Sequence, residues 1–286
     1  MLEIRPLHSL FAAEVSGLDL SGALDEGVVE QVRDAFQQYS VLVFRDQDIS
    51  DDQQIAFSRL FGDLEQTRAG AADAGGSLIR LSNMGPDGAI VAPSDKQVLN
   101  NKANQQWHAD SSFKPVPAKA SLLSARIIPS VGGNTEYISM RAVYEALDAE
   151  MKARVDGLVT IHDFDYGRRK IDPDLVSAEE RAAVPPVRQA MVLDHGAQGK
   201  SLYLGAHCAR VEGWDDAASR GLIDELMAFA TEARFIYAHA WKPHDMVLWD
   251  NRAVLHRATP FASQTEQRLM VRTTIAGDAA TVEPPD

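Results

Sequence analysis

Residues 120–139 have the sequence ASLLSARIIPSVGGNTEYIS, and this stretch decides the fold. Two short runs, 120–128 and 134–139, flank the cluster PSVGG at 129–133. Both runs have the composition of short strands, and a Pro/Gly cluster of this kind is typical of a turn. The stretch therefore predicts two successive strands joined by a turn.

Further short strands are predicted along the rest of the chain. They lie at 40–44, 77–83, 189–194, 201–204, 235–239, 246–249, 253–256 and 268–275. The first of them, SVLVF, is a short apolar run rich in β-branched residues, which predicts a strand buried on both faces. Many short strands with turn signals between them favour an antiparallel jelly-roll-type barrel.

Helices are predicted at the periphery of this barrel. Segment 25–39 has apolar residues at helical spacing with polar residues between them. Ser50 and Gln53 have the spacing of a capping box, which predicts a second helix that ends at Gly62. The remaining predicted helices are 141–147, 148–158 and 217–231. The predicted fold class is therefore mostly β with peripheral helices.

The chain is predicted to form a single domain over residues 1–276, because no repeat or linker divides it. The segment 67–76, TRAGAADAGG, lacks both periodicity and large side chains. We therefore expect the loop 66–76 to be a mobile lid over a site. The last residues, 277–286, are expected to be a disordered tail.

The composition limits the possible partners and the cellular location. The 286 residues include 28 Lys and Arg against 41 Asp and Glu, a formal charge of −13, which argues against nucleic acid and anionic membrane as partners. No run approaches the roughly 20 apolar residues of a membrane span. Cys208 is the only cysteine, which excludes an intrachain disulfide and favours a reducing compartment. We expect a cytoplasmic protein that forms a closed homo-oligomer.

A candidate metal site begins with His108 and Asp110 in the segment QWHADSSF. On a strand or an extended loop, residues two apart direct their side chains to the same side. The pair alone is weak evidence, because hydrogen-bonded surface pairs have the same spacing. His256, at the end of an apolar strand, is a third candidate ligand. Two His and one carboxylate form the facial triad of non-haem Fe(II) oxygenases, which leaves positions for a bidentate oxo-acid and dioxygen.

Two arginines, Arg268 and Arg272, follow in the segment RLMVRTTI at 268–275. On a strand they share one face, so their guanidinium groups lie side by side. On a solvent-facing side such a pair carries little meaning. On an interior face each cation needs an anionic partner, and where the protein supplies none, a bound carboxylate must. The planar guanidinium suits this role because it can bind a carboxylate through two hydrogen bonds.

Five segments, in order within about residues 4–275, carry a resemblance to a known family. They are SVLVFRDQDISDDQQIAFSRLFG (40–62), NQQWHADSSF (104–113), LLSARIIPSVGGNTEY (122–137), YLGAHCARVEG (203–213) and DMVLWDNRAVLHR (245–257). They resemble Fe(II)/2-oxoglutarate-dependent dioxygenases of the taurine dioxygenase superfamily. Within that superfamily they are most similar to the 2,4-dichlorophenoxyacetate (aryloxyalkanoate) dioxygenases.

The resemblance implies a double-stranded β-helix (jelly-roll) core and an Fe(II) ion bound by His108, Asp110 and His256. It also implies that Thr135 and Arg268 hold the distal carboxylate of the co-substrate 2-oxoglutarate. Dioxygen is the second co-substrate of this family.

The resemblance further implies that Arg272 faces the acidic group of a small anionic organic substrate. His207 lies in a segment that resembles a stretch near the substrate in aryloxyacetate-degrading relatives. The implied reaction hydroxylates the carbon next to the ether oxygen of an aryloxyacetate. It releases a phenol and glyoxylate, with succinate and CO2 from 2-oxoglutarate, as in 2,4-D degradation and other aromatic catabolism.

Three alternatives remain open at this stage. The same chemistry can act on a sulfonate, an alkyl sulfate or another small carboxylate. The three ligands can also belong to a zinc hydrolase, although no general base stands out beside them. The remaining alternative is a non-catalytic metal-binding jelly-roll protein that senses or stores a small acid.

Overall fold

The computed structural model describes residues 2–66 and 76–283. In this part of the chain, fifteen strands are accompanied by eight α-helices. The strands are β1 Glu3–Pro6, β2 Ala13–Ser16, β3 Val41–Phe44, β4 Leu78–Ser82, β5 Ala120–Ile127, β6 Thr135–Ser139, β7 Val159–His162, β8 Val187–Ala190, β9 Val192–Asp194, β10 Lys200–Leu202, β11 Cys208–Val211, β12 Ile236–His239, β13 Met246–Asp250, β14 Val254–Ala258 and β15 Leu269–Ile275. The helices are α1 Glu26–Tyr39, α2 Asp51–Arg59, α3 Lys96–Ala103, α4 Met140–Ala146, α5 Ala149–Val155, α6 Phe164–Arg168, α7 Ala178–Ala183 and α8 Asp216–Ala230.

The largest sheet has seven strands in the order β1-β2-β3-β13-β5-β15-β4. Its neighbours pair antiparallel except β2 and β3, which are parallel. All four residues of β3 are buried, as the apolar run at 40–44 predicts. Leu42 and Phe44 pack with α1 and α2 on one face, whereas Val41 and Val43 pack in a second cluster on the other. This alternation follows from the two-residue period of a strand.

A second sheet, β12-β6-β14, faces the large sheet across that second cluster. Tyr137 and Val254 of the small sheet pack with Val247, Trp249 and Met270 of the large one. Two further sheets, β11-β7-β8 and β10-β9, are separate from these two facing sheets. The elements of the described part of the chain are thus mostly strands, with several helices, as the sequence predicts.

The capping box at Ser50 is present. Ser50 Oγ accepts the N–H of Gln53 at 3.2 Å, and Gln53 Oε1 accepts the N–H of Ser50 at 2.7 Å. The predicted helix at 148–158 ends earlier, at Val155, and β7 begins after residues 156–158. The strand β7 was not predicted, because four residues are too few to show a two-residue period.

Residues 277–283, part of the predicted disordered tail, contact β8 in the structure. Thr281 Oγ1 accepts the N–H of Ala190 at 2.9 Å, and Arg188 Nη1 donates to the carbonyl of Glu283 at 2.9 Å. The tail therefore bonds to β8, an edge strand, which its small and acidic composition does not reveal. Residues 284–286, and residues 67–75 of the predicted lid, lie outside the described residues. No helix among those described has the length and apolar character needed to span a membrane.

Candidate active site

The two candidate histidine ligands face each other across an isolated antiparallel bridge. The N–H of His108 donates to the carbonyl of His256 at 3.0 Å, and the N–H of His256 donates back at 2.9 Å. His256 belongs to β14, so the bridge attaches the segment of His108 to the small sheet. The two imidazole centroids lie 4.2 Å apart as a result.

Asp110 completes the cluster. Its Oδ1 lies 3.8 Å from Nε2 of His108, and its Oδ2 lies 3.7 Å from Nε2 of His256. One ligand atom from each of the three residues lies within 4.8 Å of the others, and all three residues are buried. The structure therefore brings together the three ligands that the sequence predicts.

The protonation states suit a metal ion. Burial lowers the pKa of His108, and burial together with the nearby His108 imidazole lowers the pKa of His256 well below its ordinary value. Burial alone would raise the pKa of Asp110, but Arg272 and the two imidazoles hold it well below the ordinary range. Neutral imidazoles and an ionised carboxylate are the forms that bind metal.

Hydrogen bonds behind the ligands fix their orientation. Nδ1 of His108 donates to the carbonyl of Gln106 at 2.8 Å, which leaves Nε2 for a metal. Ser121 Oγ donates to Asp110 Oδ2 at 2.7 Å, and Asn251 Nδ2 donates to Ser121 Oγ at 2.9 Å. Asn251 Oδ1 also accepts the N–H of Asp110 at 3.2 Å. Sequence reasoning missed Ser121 and Asn251, although Asn251 lies in the DMVLWDNRAVLHR segment.

One cavity opens beside this cluster. Its wall is formed by Leu81, Ser82, Asn83, Asn101, Asn104, Gln105, His108, Leu123, Thr135, Trp249, His256, Ala258, Thr259, Phe261, Arg268 and Arg272. Both candidate histidine ligands, the threonine and both arginines singled out from the sequence are in that set. A single ligand in the cavity can therefore reach a metal ion and a guanidinium group at the same time.

Arg272 already has an anionic partner within the protein. Its Nη1 donates to Asp110 Oδ1 in a short contact. For Arg272 the protein itself thus supplies the anionic partner that an interior cation needs. Its Nε is buried without a hydrogen-bond partner in the described part of the chain. The Arg272 side chain therefore retains donors beyond the one that Asp110 uses.

Arg268 differs from Arg272 in having no anionic partner among residues 2–66 and 76–283. Arg268 precedes β15, and the pairing of β15 with β5 has a register shift between Leu269 and Met270. The prediction that both arginines lie on one regular strand is therefore wrong. Its side chain donates from Nη2 to the carbonyl of Gly133 at 3.3 Å, and its buried Nε has no partner among the described residues. Burial lowers the pKa of Arg268 to about 10. A carboxylate fits here, because it would pair a buried cation that is otherwise bonded only to a carbonyl.

His207 is buried beside the cluster but is not on the wall of this cavity. Its ring centroid lies 6.5 Å from that of His108 and 4.8 Å from that of Phe113. Burial lowers the pKa of His207 well below its ordinary value, so the imidazole is neutral. Its predicted contact with substrate stays a prediction.

Comparisons with known proteins identify a family over almost the whole chain. The family model for taurine catabolism dioxygenase TauD, TfdA family, matches residues 3–274. The alpha-ketoglutarate-dependent 2,4-dichlorophenoxyacetate dioxygenase of Cupriavidus pinatubonensis is 40% identical over 281 residues, which are 95% of this chain and 96% of that protein.

Two further proteins are also similar to this chain over almost its whole length. The (S)-phenoxypropionate/alpha-ketoglutarate-dioxygenase of Sphingobium herbicidovorans is 38% identical, over 97% of this chain and 96% of that protein. The crystal structure of AAD-2 in complex with Mn(II) and N-oxalylglycine has 41% sequence identity and a TM-score of 0.92. That match covers 99% of this chain and 100% of that one.

Proposed function

Because the chain belongs to the TauD, TfdA family of dioxygenases, we propose that it is an Fe(II)- and 2-oxoglutarate-dependent dioxygenase of aryloxyacetate-type acids. The reaction hydroxylates the carbon between the ether oxygen and the carboxylate. The resulting hemiacetal breaks down to a phenol and glyoxylate, while 2-oxoglutarate is converted to succinate and CO2. The observation that carries the proposal is that His108, His256, Thr135, Arg268 and Arg272 line one cavity.

In this proposal the metal is held by His108, Asp110 and His256. Three protein ligands on one side leave positions for a chelating oxo-acid and for dioxygen. When bound, Fe(II) and 2-oxoglutarate supply the activation of dioxygen and the oxidation of the substrate C–H bond. The protein supplies the orientation of these partners. The facing sheets would be the core of the double-stranded β-helix.

Arg268 and Thr135 bind the distal carboxylate of 2-oxoglutarate. The buried guanidinium of Arg268 has an unpartnered Nε, and the Thr135 hydroxyl lies on the same wall. A charge-assisted hydrogen bond from each to one carboxylate would fix the position of the co-substrate. The chelating end would then point toward the two imidazoles.

Arg272 binds the acidic group of the substrate. Since the protein carries a formal charge of −13, long-range attraction cannot draw in an anion. Salt screens distant repulsion beyond about 8 Å, so the short-range contact with Arg272 decides binding. The substrate's acidic group would share the guanidinium with Asp110, which would place it close to the metal ligands.

The experiment that tests this function is a substrate panel. Aryloxyacetates, aryloxypropionates, sulfonates and alkyl sulfates are each incubated with Fe(II), 2-oxoglutarate and dioxygen, and succinate and phenol are measured. We expect aryloxy acids to raise succinate release with matching phenol, and His256→Ala to abolish both. Succinate release with sulfonates or sulfates alone would favour the alternative substrate class. Release with none of them would favour a non-catalytic metal-binding protein. The cytoplasmic location and the homo-oligomer stay predictions.

A further inference from the structure

Thr135 and Trp241 form a hydrogen bond at the edge of the cavity. Trp241 Nε1 donates to Thr135 Oγ1 at 3.0 Å, and Thr135 lies on the cavity wall whereas Trp241 does not. We propose that Trp241 is a positioning residue that directs the hydroxyl proton of Thr135 toward the distal carboxylate of 2-oxoglutarate. The inference rests on the proposed function, since it requires that carboxylate to lie at Thr135.

The donor inventory of the two side chains supports this role. An indole N–H can only donate, so the Thr135 oxygen must accept in this hydrogen bond. The hydroxyl keeps one proton to donate elsewhere. A carboxylate can only accept, which makes it the natural partner for that proton. Because Trp241 occupies one lone pair of the Thr135 oxygen, the hydroxyl proton remains free to be donated to a carboxylate.

The indole ring of Trp241 is itself held in place. It meets the ring of His239 edge to face, with centroids 4.5 Å apart and planes at 83°. His239 Nε2 is 3.1 Å from Asp245 Oδ2, and its Nδ1 is 3.2 Å from the Tyr237 hydroxyl. His239 and Asp245 are almost fully buried, so this support is rigid.

The strand register explains why these residues meet. In the small sheet His239 of β12 pairs directly with Thr135 of β6. Trp241 follows two residues later, just after the strand ends, and its ring reaches back to the threonine hydroxyl. The sheet therefore sets the distance between the indole donor and the cavity wall.

The test is a double-mutant cycle on ligand binding. The dissociation constant of N-oxalylglycine, a 2-oxoglutarate analogue, is measured by calorimetry on the Mn(II)-loaded protein. The proteins compared are the wild type, Thr135→Val, Trp241→Phe and the double variant. Loss of a hydrogen bond to a charged group predicts a roughly tenfold or greater weakening for Thr135→Val. We expect Trp241→Phe to weaken binding about fivefold, because the hydroxyl remains but is no longer oriented.

The double variant separates positioning from general damage. If Trp241 acts through Thr135, the double variant binds as Thr135→Val does, since neighbouring residues in one network are not additive. Oxamate, which has the chelating half of the analogue but no distal carboxylate, should bind equally to wild type and Trp241→Phe. Trp214→Phe, a tryptophan of another core cluster, is the matched control and should leave both affinities unchanged.

Three outcomes would overturn the inference. They are unchanged N-oxalylglycine affinity in Trp241→Phe, additive effects in the double variant, and equal weakening of oxamate. If the wild-type protein itself binds no N-oxalylglycine in the presence of Mn(II), the proposed function fails together with the inference. Should Trp241→Phe not fold, Trp241→Met carries the same comparison, because it is a large apolar side chain without an N–H donor.

Discussion

Arg268 and Arg272 line the same cavity, but each side chain has a different partner within the protein. Arg272 is paired with Asp110, a candidate metal ligand, whereas within the described part of the chain the Arg268 side chain bonds only to the carbonyl of Gly133. A cation without a carboxylate partner in a buried position attracts one from a ligand. This contrast is the physical basis for assigning the two arginines to two different anions.

Alanine substitution should therefore affect two different ligands. Arg268→Ala is expected to raise the KM for 2-oxoglutarate by roughly 10- to 100-fold, because a charge-assisted hydrogen bond is lost. Arg272→Ala should instead raise the KM for the aryloxy acid by a similar factor. Both constants are measured by succinate release, with Arg154→Ala, an arginine in an exposed ion pair, as the control. Indistinguishable effects of the two substitutions on both ligands would refute the assignment.

The serines of β5 provide a matched pair for testing how the metal ligand is oriented. Ser121 and Ser124 are both buried on that strand, but Ser121 Oγ donates to Asp110 whereas Ser124 Oγ has no partner among the described residues. We expect Ser121→Ala to weaken Mn(II) binding about 10- to 100-fold, as is typical when a partner behind a ligand is lost. Ser124→Ala should bind Mn(II) like the wild type, as measured by calorimetry. Equal affinities of the two variants would contradict this role for Ser121.

At the scale of residues, the sequence was sufficient to predict which candidate ligands the structure brings together, but not which residues orient them. The pattern of His108, Asp110 and His256 is distinctive because few side chains bind metal. Ser121 and Asn251 are ordinary polar residues whose role arises only when β5 and the end of β13 are adjacent. Since that pairing joins residues distant in sequence, no local pattern reports it.

At the scale of elements, prediction succeeded where one local interaction dominates. The capping box of α2 and the apolar run of β3 are both present as predicted. The missed elements, such as β7 and α7, are short, and α7 buries no side chain. A short element shows no period, and its conformation is decided by what it packs against.

The capping boxes of α2 and α7 should differ in their effect on stability. Ser50 caps α2, which packs on β15 and buries Gln54, Phe57 and Ser58, whereas Ser177 caps α7, which buries nothing. We expect Ser50→Ala to lower the free energy of unfolding by about 1 kcal/mol. Ser177→Ala should leave it nearly unchanged, because α7 can fray without exposing core side chains. Urea denaturation of both variants measures the difference, and equal losses would contradict this reasoning.

At the scale of the whole molecule, buried His162 links stability to pH. Burial lowers its pKa from 6.5 to about 3, and its ring stacks on Tyr203 with centroids 5.4 Å apart. Below pH 6.5 the His162 imidazole is protonated in the unfolded chain. In the folded protein it stays neutral until the pH approaches its lowered pKa of about 3. This residue therefore reduces the free energy of unfolding as pH falls through that window.

His162→Phe should remove this contribution while keeping the ring stacking. Relative to the variant, the wild type should lose about 1.4 kcal/mol of unfolding free energy per pH unit below about pH 6. Above about pH 7.5 the difference in unfolding free energy between the two proteins should be constant, because the imidazole is then neutral in both the folded and the unfolded protein. Urea denaturation across this range tests the prediction, and a constant difference down to about pH 4.5 would contradict it.

The arrangement of the sheets was only partly predictable from the sequence. Mostly β structure follows from the number of short runs, but the strand order and the facing of the two sheets depend on contacts between distant segments. The contacts of residues 277–283 with β8 were not predictable for the same reason. They depend on the open edge of a sheet that is distant in sequence, and the composition of the tail does not indicate them. What the sequence could supply at this scale was a resemblance spanning the chain.

The central claim is that one cavity holds a metal ion bound by three protein side chains and a ligand carboxylate bound by Arg268. A crystal structure of the protein with Mn(II) and N-oxalylglycine tests it most directly. We predict Mn(II) within about 2.2 Å of the imidazole nitrogens of His108 and His256 and of an Asp110 oxygen. The distal carboxylate should contact Arg268 and Thr135, leaving Arg272 to face the substrate position. A metal bound elsewhere, or a distal carboxylate at Arg272, would contradict the claim.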